Sequence, residues 1–113
     1  MNSRFKSFKE FYPFYLSEHL NPICRLLHFI GTSLVITLII ISIIYSNTLF
    51  IYSPLCGYSF AFIGHFVFEK NKPATFKYPI YSLAGDFVMF YHILTFQISS
   101  KLKEARKIYP TST

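Results

Sequence analysis

No Asp, Glu, Lys or Arg occurs between residues 26 and 68, a run of 43 residues. A helix that crosses a bilayer needs about 20 mostly apolar residues. The run therefore has room for two spans folded back on each other. Such a hairpin returns its two ends to one membrane face. Ser17-Glu18-His19 with Asn21-Pro22, Arg25 and His28 stand at one end, and Gly64-His65 with Glu69, Asn71 and Pro73 at the other. His19, His28 and His65 thus converge on the same rim.

Composition agrees with a lipid environment. Hydrophobic residues make up 52% of the chain and charged ones 14%, with mean hydropathy +0.38. A soluble domain of 113 residues leaves too much surface exposed to hide that much apolar area. One domain, 1–113, is expected. Trp is absent, so Tyr supplies the polar-tipped rings of the interface. The net charge is +6, and all eleven basic residues lie outside 26–68, where the cytoplasmic side holds them best. That predicts an integral membrane protein whose site faces the cytoplasm: the inner membrane in a bacterium, the endoplasmic reticulum in a eukaryote. Anionic lipid headgroups are the simpler partner for this charge. Nucleic acid is not expected, because no basic stripe interleaved with exposed aromatics is present.

Local signals divide the chain. Phe5, Phe8, Phe11 and then Phe14 or Tyr15 recur at helical spacing among basic residues, predicting an amphipathic interfacial helix over about 3–16 in the headgroup plane or, compatibly, a surface helix packed on the bundle, with Pro13 unsettling its last turn. Asn21-Pro22 is a helix start, an N-cap followed by proline at the first helical position. The first span is expected over 22–45 and the second over 49–70, with 46–48 as the turn and Pro54 as a kink or as the turn itself. Gly57, Ala61 and Gly64 give the second span a small-residue face for close packing, and His65 follows on that face. Ser82 reads as the N-cap of a second interfacial helix over 83–106, too short and polar in its apolar part to be a third span. The expected fold class is thus an all-α membrane protein, a two-span hairpin with flanking interfacial helices in a small bundle.

His28 falls about 9 Å into the first span and His65 about 7.5 Å from the end of the second, at 1.5 Å per residue. The two depths agree, which supports a shared site. Neutral imidazoles are good transition-metal ligands when several converge. A His-rich set with one carboxylate suits non-haem iron, Fe(II), with positions left for substrate and oxygen. Glu69 shares a helix face with His65. It is read as a residue orienting an imidazole ahead of a direct ligand, with an ion pair to Lys70 or Lys72 as the plainer role. Arg25 anchors a fatty acid carboxylate or simply snorkels to the headgroups. Asp86 accepts from a ligand imidazole or favours its own helix start. Asn21 and Asn71 read as caps, His92 stands apart, and Cys24 and Cys56 read as spectator thiols at opposite faces. The N-terminal apolar run, broken by Pro13, is not expected to be a cleaved signal.

These blocks resemble a known family, the small membrane proteins related to the fungal 2-hydroxy fatty acid dioxygenase. The similar residues are Glu18-His19, Asn21-Pro22, Arg25 and His28-Phe29-Ile30-Gly31-Thr32, then Gly64-His65-Phe66 through Glu69, Asn71 and Pro73-Ala74, then Tyr78-Pro79 and Gly85-Asp86-Phe87. The resemblance covers about residues 11–90. It implies an iron(II)-dependent enzyme of fatty acid α-oxidation that uses dioxygen to shorten a 2-hydroxy fatty acid by one carbon. It also implies His19, His28 and His65 as metal residues. The competing expectations are a non-catalytic membrane protein that binds lipid or stabilises a partner, and a haem or quinone site on two histidines.

Overall fold

A computed structural model describes residues 5–110. Five α-helices and no strands occur among them: α1 Phe8–Ser17, α2 Pro22–Tyr45, α3 Ser53–Ile63, α4 Pro79–Leu94 and α5 Ile98–Ile108. The expected start of the first helix at residue 3 lies outside the described residues.

Side-chain caps start α1 and α2. The Ser7 hydroxyl accepts the Glu10 backbone N–H, and α1 runs through Pro13 unbroken to Ser17. The Asn21 carbonyl oxygen accepts from the N–H groups of Ile23 and Cys24, with Pro22 at the first helical position. α2 ends at Ser46 in the left-handed conformation, φ 50°. A 3-10 turn, Leu49–Tyr52, then feeds α3. Pro54 is neither a mid-helix kink nor the turn; it sits in the first turn of α3, where its missing N–H costs nothing. Beyond Ile63 the helix widens into a π-helical segment, Gly64–Glu69, closed by Lys70 at φ 58°. Two segments, Pro22–Tyr45 and Leu49–Glu69, are long and apolar enough to cross a membrane. They pack against each other as a hairpin, and much of their outer surface is apolar and exposed, Ile43 by 73% and Leu55 by 69%.

The segment 83–106 is not one helix. α4 begins at Pro79, so Ser82 lies within the helix rather than capping it, and the chain breaks at Thr95–Gln97, where Phe96 takes φ 62°. The break lets α5 fold back onto α1, burying Ala105 with Ile98 and Leu102 at its sides. The Phe stripe of α1 is consumed in this packing. Phe5, Phe11, Tyr15 and Leu16 are buried with Met89 of α4, so the stripe is not a face offered to headgroups. Ring pairs such as Phe5–Phe11 at 5.4 Å and Phe11–Tyr81 at 5.3 Å hold the cluster, each worth about 0.5–1.5 kcal/mol beyond area burial. The core therefore lies among α1, α4 and α5. It serves as a platform against which the mouth of the hairpin is fixed.

Candidate metal centre

Three elements deliver one imidazole each. His19 follows α1, His28 lies two turns into α2, and His65 lies in the π segment. All three are nearly inaccessible, at 1%, 4% and 2% exposure. Their ring centroids are 4.4–4.9 Å apart and mutually close to perpendicular.

Each ring spends its Nδ1 on an oxygen acceptor, which fixes that nitrogen as the N–H. His19 Nδ1 donates to the Tyr15 carbonyl at 2.6 Å, His28 Nδ1 to the Cys24 carbonyl at 2.9 Å, and His65 Nδ1 to Asn71 Oδ1 at 2.7 Å. Asn71 Nδ2 donates to the Glu18 carbonyl, so its amide faces the right way for that role. Every Nε2 is then a bare lone pair. These lone pairs face one another: His19 Nε2 lies 3.2 Å from that of His28 and 2.9 Å from that of His65. Buried acceptors without donors cost about 1–3 kcal/mol each. A cation among them removes that cost. Two nitrogens bound at right angles with bonds of about 2.1 Å are about 3.0 Å apart, close to the spacing seen. The residues present thus fit a metal ion. Burial, and after it the positive charge that His28 and His65 would carry, holds His19 well below the ordinary imidazole range, in the neutral form a ligand needs.

Cys24, read as a spectator thiol, lies beside this cluster. Its thiol lies 3.7 Å from His28 Nδ1, and Cys24 joins the three histidines in a group whose ligand atoms all lie within 4.8 Å of one another. Its position four residues before His28 was the signal for this in the sequence. Cys56 is also a free thiol, half-buried on α3.

The remaining sequence candidates take other work. Asp86 accepts no imidazole; it accepts the Tyr15 hydroxyl. The Tyr15 ring stacks on His19 at 4.0 Å, and Gly85 makes room for it, since a Cβ there would lie 2.9 Å from the ring. Asp86 is thus linked to His19 through Tyr15. Burial raises its carboxyl to about 6, with the Tyr15 hydroxyl pulling the other way, and burial with the Asp86 charge puts the Tyr15 phenol well above its ordinary value. Glu69 orients no imidazole either. Its carboxylate accepts the Asn21 backbone N–H, which ties the π segment to the start of α2. Arg25 donates to the carbonyls of His19 at 2.8 Å and Leu20 at 2.9 Å, and so braces the link between α1 and α2. It lines neither cavity near the histidines. His92 lies apart from the cluster, with its Nδ1 2.7 Å from the Tyr12 hydroxyl. Tyr15 and Asn71 were not legible as site residues: one sat in an aromatic stripe, the other read as a cap.

A small cavity adjoins the cluster, lined by all three histidines with Tyr15, Ser82 and Asp86. His28, Tyr58, Ala61 and Asp86 also line a larger apolar cavity that runs on between α2, α3 and α4. The arrangement is a buried cluster that could hold a metal ion, with an apolar approach.

Residues 5–98 match the family model described as 2-hydroxy-palmitic acid dioxygenase Mpo1-like, and the chain belongs to that family. No curated protein and no solved structure matches the chain.

Proposed function

We propose that the protein is an iron(II)-dependent dioxygenase of fatty acid α-oxidation, converting a 2-hydroxy fatty acid to the acid one carbon shorter. The single observation that carries this reading is the trio of inward-facing Nε2 lone pairs in a chain of the dioxygenase family. His19, His28 and His65 would hold the ion. Three neutral nitrogen ligands leave positions open, as non-haem iron oxygenases require. Bound iron would supply the redox contact between the 2-hydroxy acid and dioxygen. Oxidising the α-carbon and releasing the carboxyl carbon as carbon dioxide gives up as many electrons as one dioxygen accepts, with water as the other product.

The chain's own groups prepare that chemistry. The carbonyls of Tyr15 and Cys24 and the amide of Asn71 fix the three tautomers and ring angles. Burial excludes water from around the histidines, and the Tyr15 ring covers one side of His19. Pro22–Tyr45 and Leu49–Glu69 would cross the bilayer, with the basic residues that flank them in the sequence on the cytoplasmic side. Arg25, already engaged with two carbonyls, sets the histidine link rather than the substrate carboxylate.

Detergent-purified protein loaded anaerobically with Fe(II) and then given 2-hydroxypalmitate and air is expected to yield pentadecanoate, and His65→Ala to yield none. Metal analysis of the same preparation is expected to find close to one ion per chain. A preparation that takes up no metal and forms no product overturns the reading in favour of a non-catalytic lipid-binding protein.

A further inference from the structure

The larger cavity has a volume of about 300 Å³ and begins at His28 and Asp86. Thr32, Val35 and Ile39 follow His28 along one face of α2, with Ala61 of α3 and Leu83 and Phe87 of α4 opposite. His28 and Ile39 are eleven residues apart, so the cleft extends about 16 Å along the helix at 1.5 Å per residue. An extended chain advances about 1.2 Å per bond, so roughly thirteen bonds reach from the histidines to Ile39. At the metal end, the Ser82 hydroxyl is buried, lines the small cavity and has no hydrogen-bond partner among the described residues. A buried hydroxyl left alone is costly, and a ligand group beside the histidines would satisfy it. The cleft is therefore polar at the histidine end and mainly apolar beyond it, where the hydroxyls of Thr32 and Ser53 are the polar exceptions, the pattern of a fatty acid with a polar α-substituent.

Resting on the function proposed above, we infer that the alkyl tail of the 2-hydroxy acid lies in this cleft rather than in surrounding lipid, that Ser82 hydrogen-bonds its head, and that Ile39 limits the chain length accepted. This makes Ser82 a substrate-binding residue and Ile39 a determinant of specificity. Both lie outside the metal-binding set.

The test measures displacement of a fluorescent fatty acid from the detergent-purified, metal-loaded protein. The competitors run from 2-hydroxyoctanoate to 2-hydroxystearate, each paired with the unsubstituted acid of the same length. Ile39→Trp is expected to weaken the longest acids relative to the shortest by about tenfold or more, as overpacking a filled cavity does, and the smaller Ile39→Phe to do so less. Ser82→Ala is expected to cut the preference for the 2-hydroxy acid over its unsubstituted partner about fivefold, the scale of one hydrogen bond. An unchanged length ranking in both Ile39 variants, or equal loss at every length, overturns the cleft assignment while the wild type still binds and turns over 2-hydroxy acids. An unchanged preference in Ser82→Ala overturns the placement of the head. A wild-type protein that binds no 2-hydroxy acid overturns this inference together with the functional reading beneath it.

Discussion

His19 Nε2 and His65 Nε2 lie 2.9 Å apart, although 46 residues separate them in the chain. Both rings have committed their Nδ1 protons to oxygen acceptors, so the contact sets one lone pair against another. With an ion between them, that repulsion becomes shared coordination. Metal binding should therefore stabilise the fold. A hundredfold excess of ion over its Kd is expected to add about 2.7 kcal/mol. Thermal unfolding with and without a chelator measures it. His65→Ala removes one of the facing acceptors, so its unfolding temperature should respond far less to the chelator. An equal response in both proteins would place the ion elsewhere.

Asn71 holds His65 through the bond from Nδ1 and is itself held by the Glu18 carbonyl. It touches no ligand nitrogen, so its substitution tests orientation alone. Asn71→Ala is expected to weaken metal affinity by about 10- to 100-fold, the usual cost of losing a partner of a ligand imidazole. Asn71→Asp keeps the acceptor and should recover most of that loss. Competition titration with a metal indicator distinguishes the two variants.

Asp86 and Tyr15 predict a pH effect whose sign follows from burial. The Asp86 carboxyl is raised from 3.8 to about 6, so the folded state resists its ionisation. A raised acid contributes stability below its unfolded pKa and loses it as pH rises through the folded value. Stability relative to Asp86→Asn should thus fall between about pH 4 and pH 6, by about 3 kcal/mol at most. Denaturant unfolding of both proteins across that range measures the difference, and the histidines cancel because both proteins keep them. Tyr15→Phe removes the donor that lowers the Asp86 value and should carry the same fall to higher pH.

The sequence revealed most of what regular spacing controls. Charge absence over 26–68 marked the hairpin, Asn21-Pro22 marked the start of α2, and counting residues from two helix ends put His28 and His65 at one depth. His19, His28 and His65 do meet. What stayed hidden depends on contacts made only after folding. The π segment over Gly64–Glu69 starts at a glycine that read as part of the close-packing face of the helix, and it ends on Lys70 in a conformation usually left to glycine. Phe96 does the same between α4 and α5, so a break looked like a continuous helix. The roles of Tyr15, Asn71 and Arg25 are set by which carbonyl, carboxylate or imidazole lies across a helix boundary, and no periodicity encodes that.

The junction of Cys24 and Gly64 offers the most local test of how the hairpin assembles the site. A Cβ at residue 64 would lie 2.9 Å from Cys24 Sγ and 3.3 Å from Cys24 Cα. Backbone cannot yield as a long side chain can, so Gly64→Ala must push the π segment away from α2. His65 follows residue 64 directly, and its Nε2 has little room to move before the 2.9 Å approach to His19 is lost. Gly64→Ala is therefore expected to destabilise the protein by about 1–3 kcal/mol, the range for overpacking, and to lower metal affinity as well. Shortening the other partner should relieve part of both effects. The Gly64→Ala, Cys24→Ala double variant takes away the sulfur that the new methyl meets, though not the Cα behind it. A double-mutant cycle on unfolding free energy and metal affinity is expected to show a favourable coupling of about 0.5–3 kcal/mol, as for residues in direct contact. Additive losses would mean that the two residues do not set the gap between α2 and the π segment.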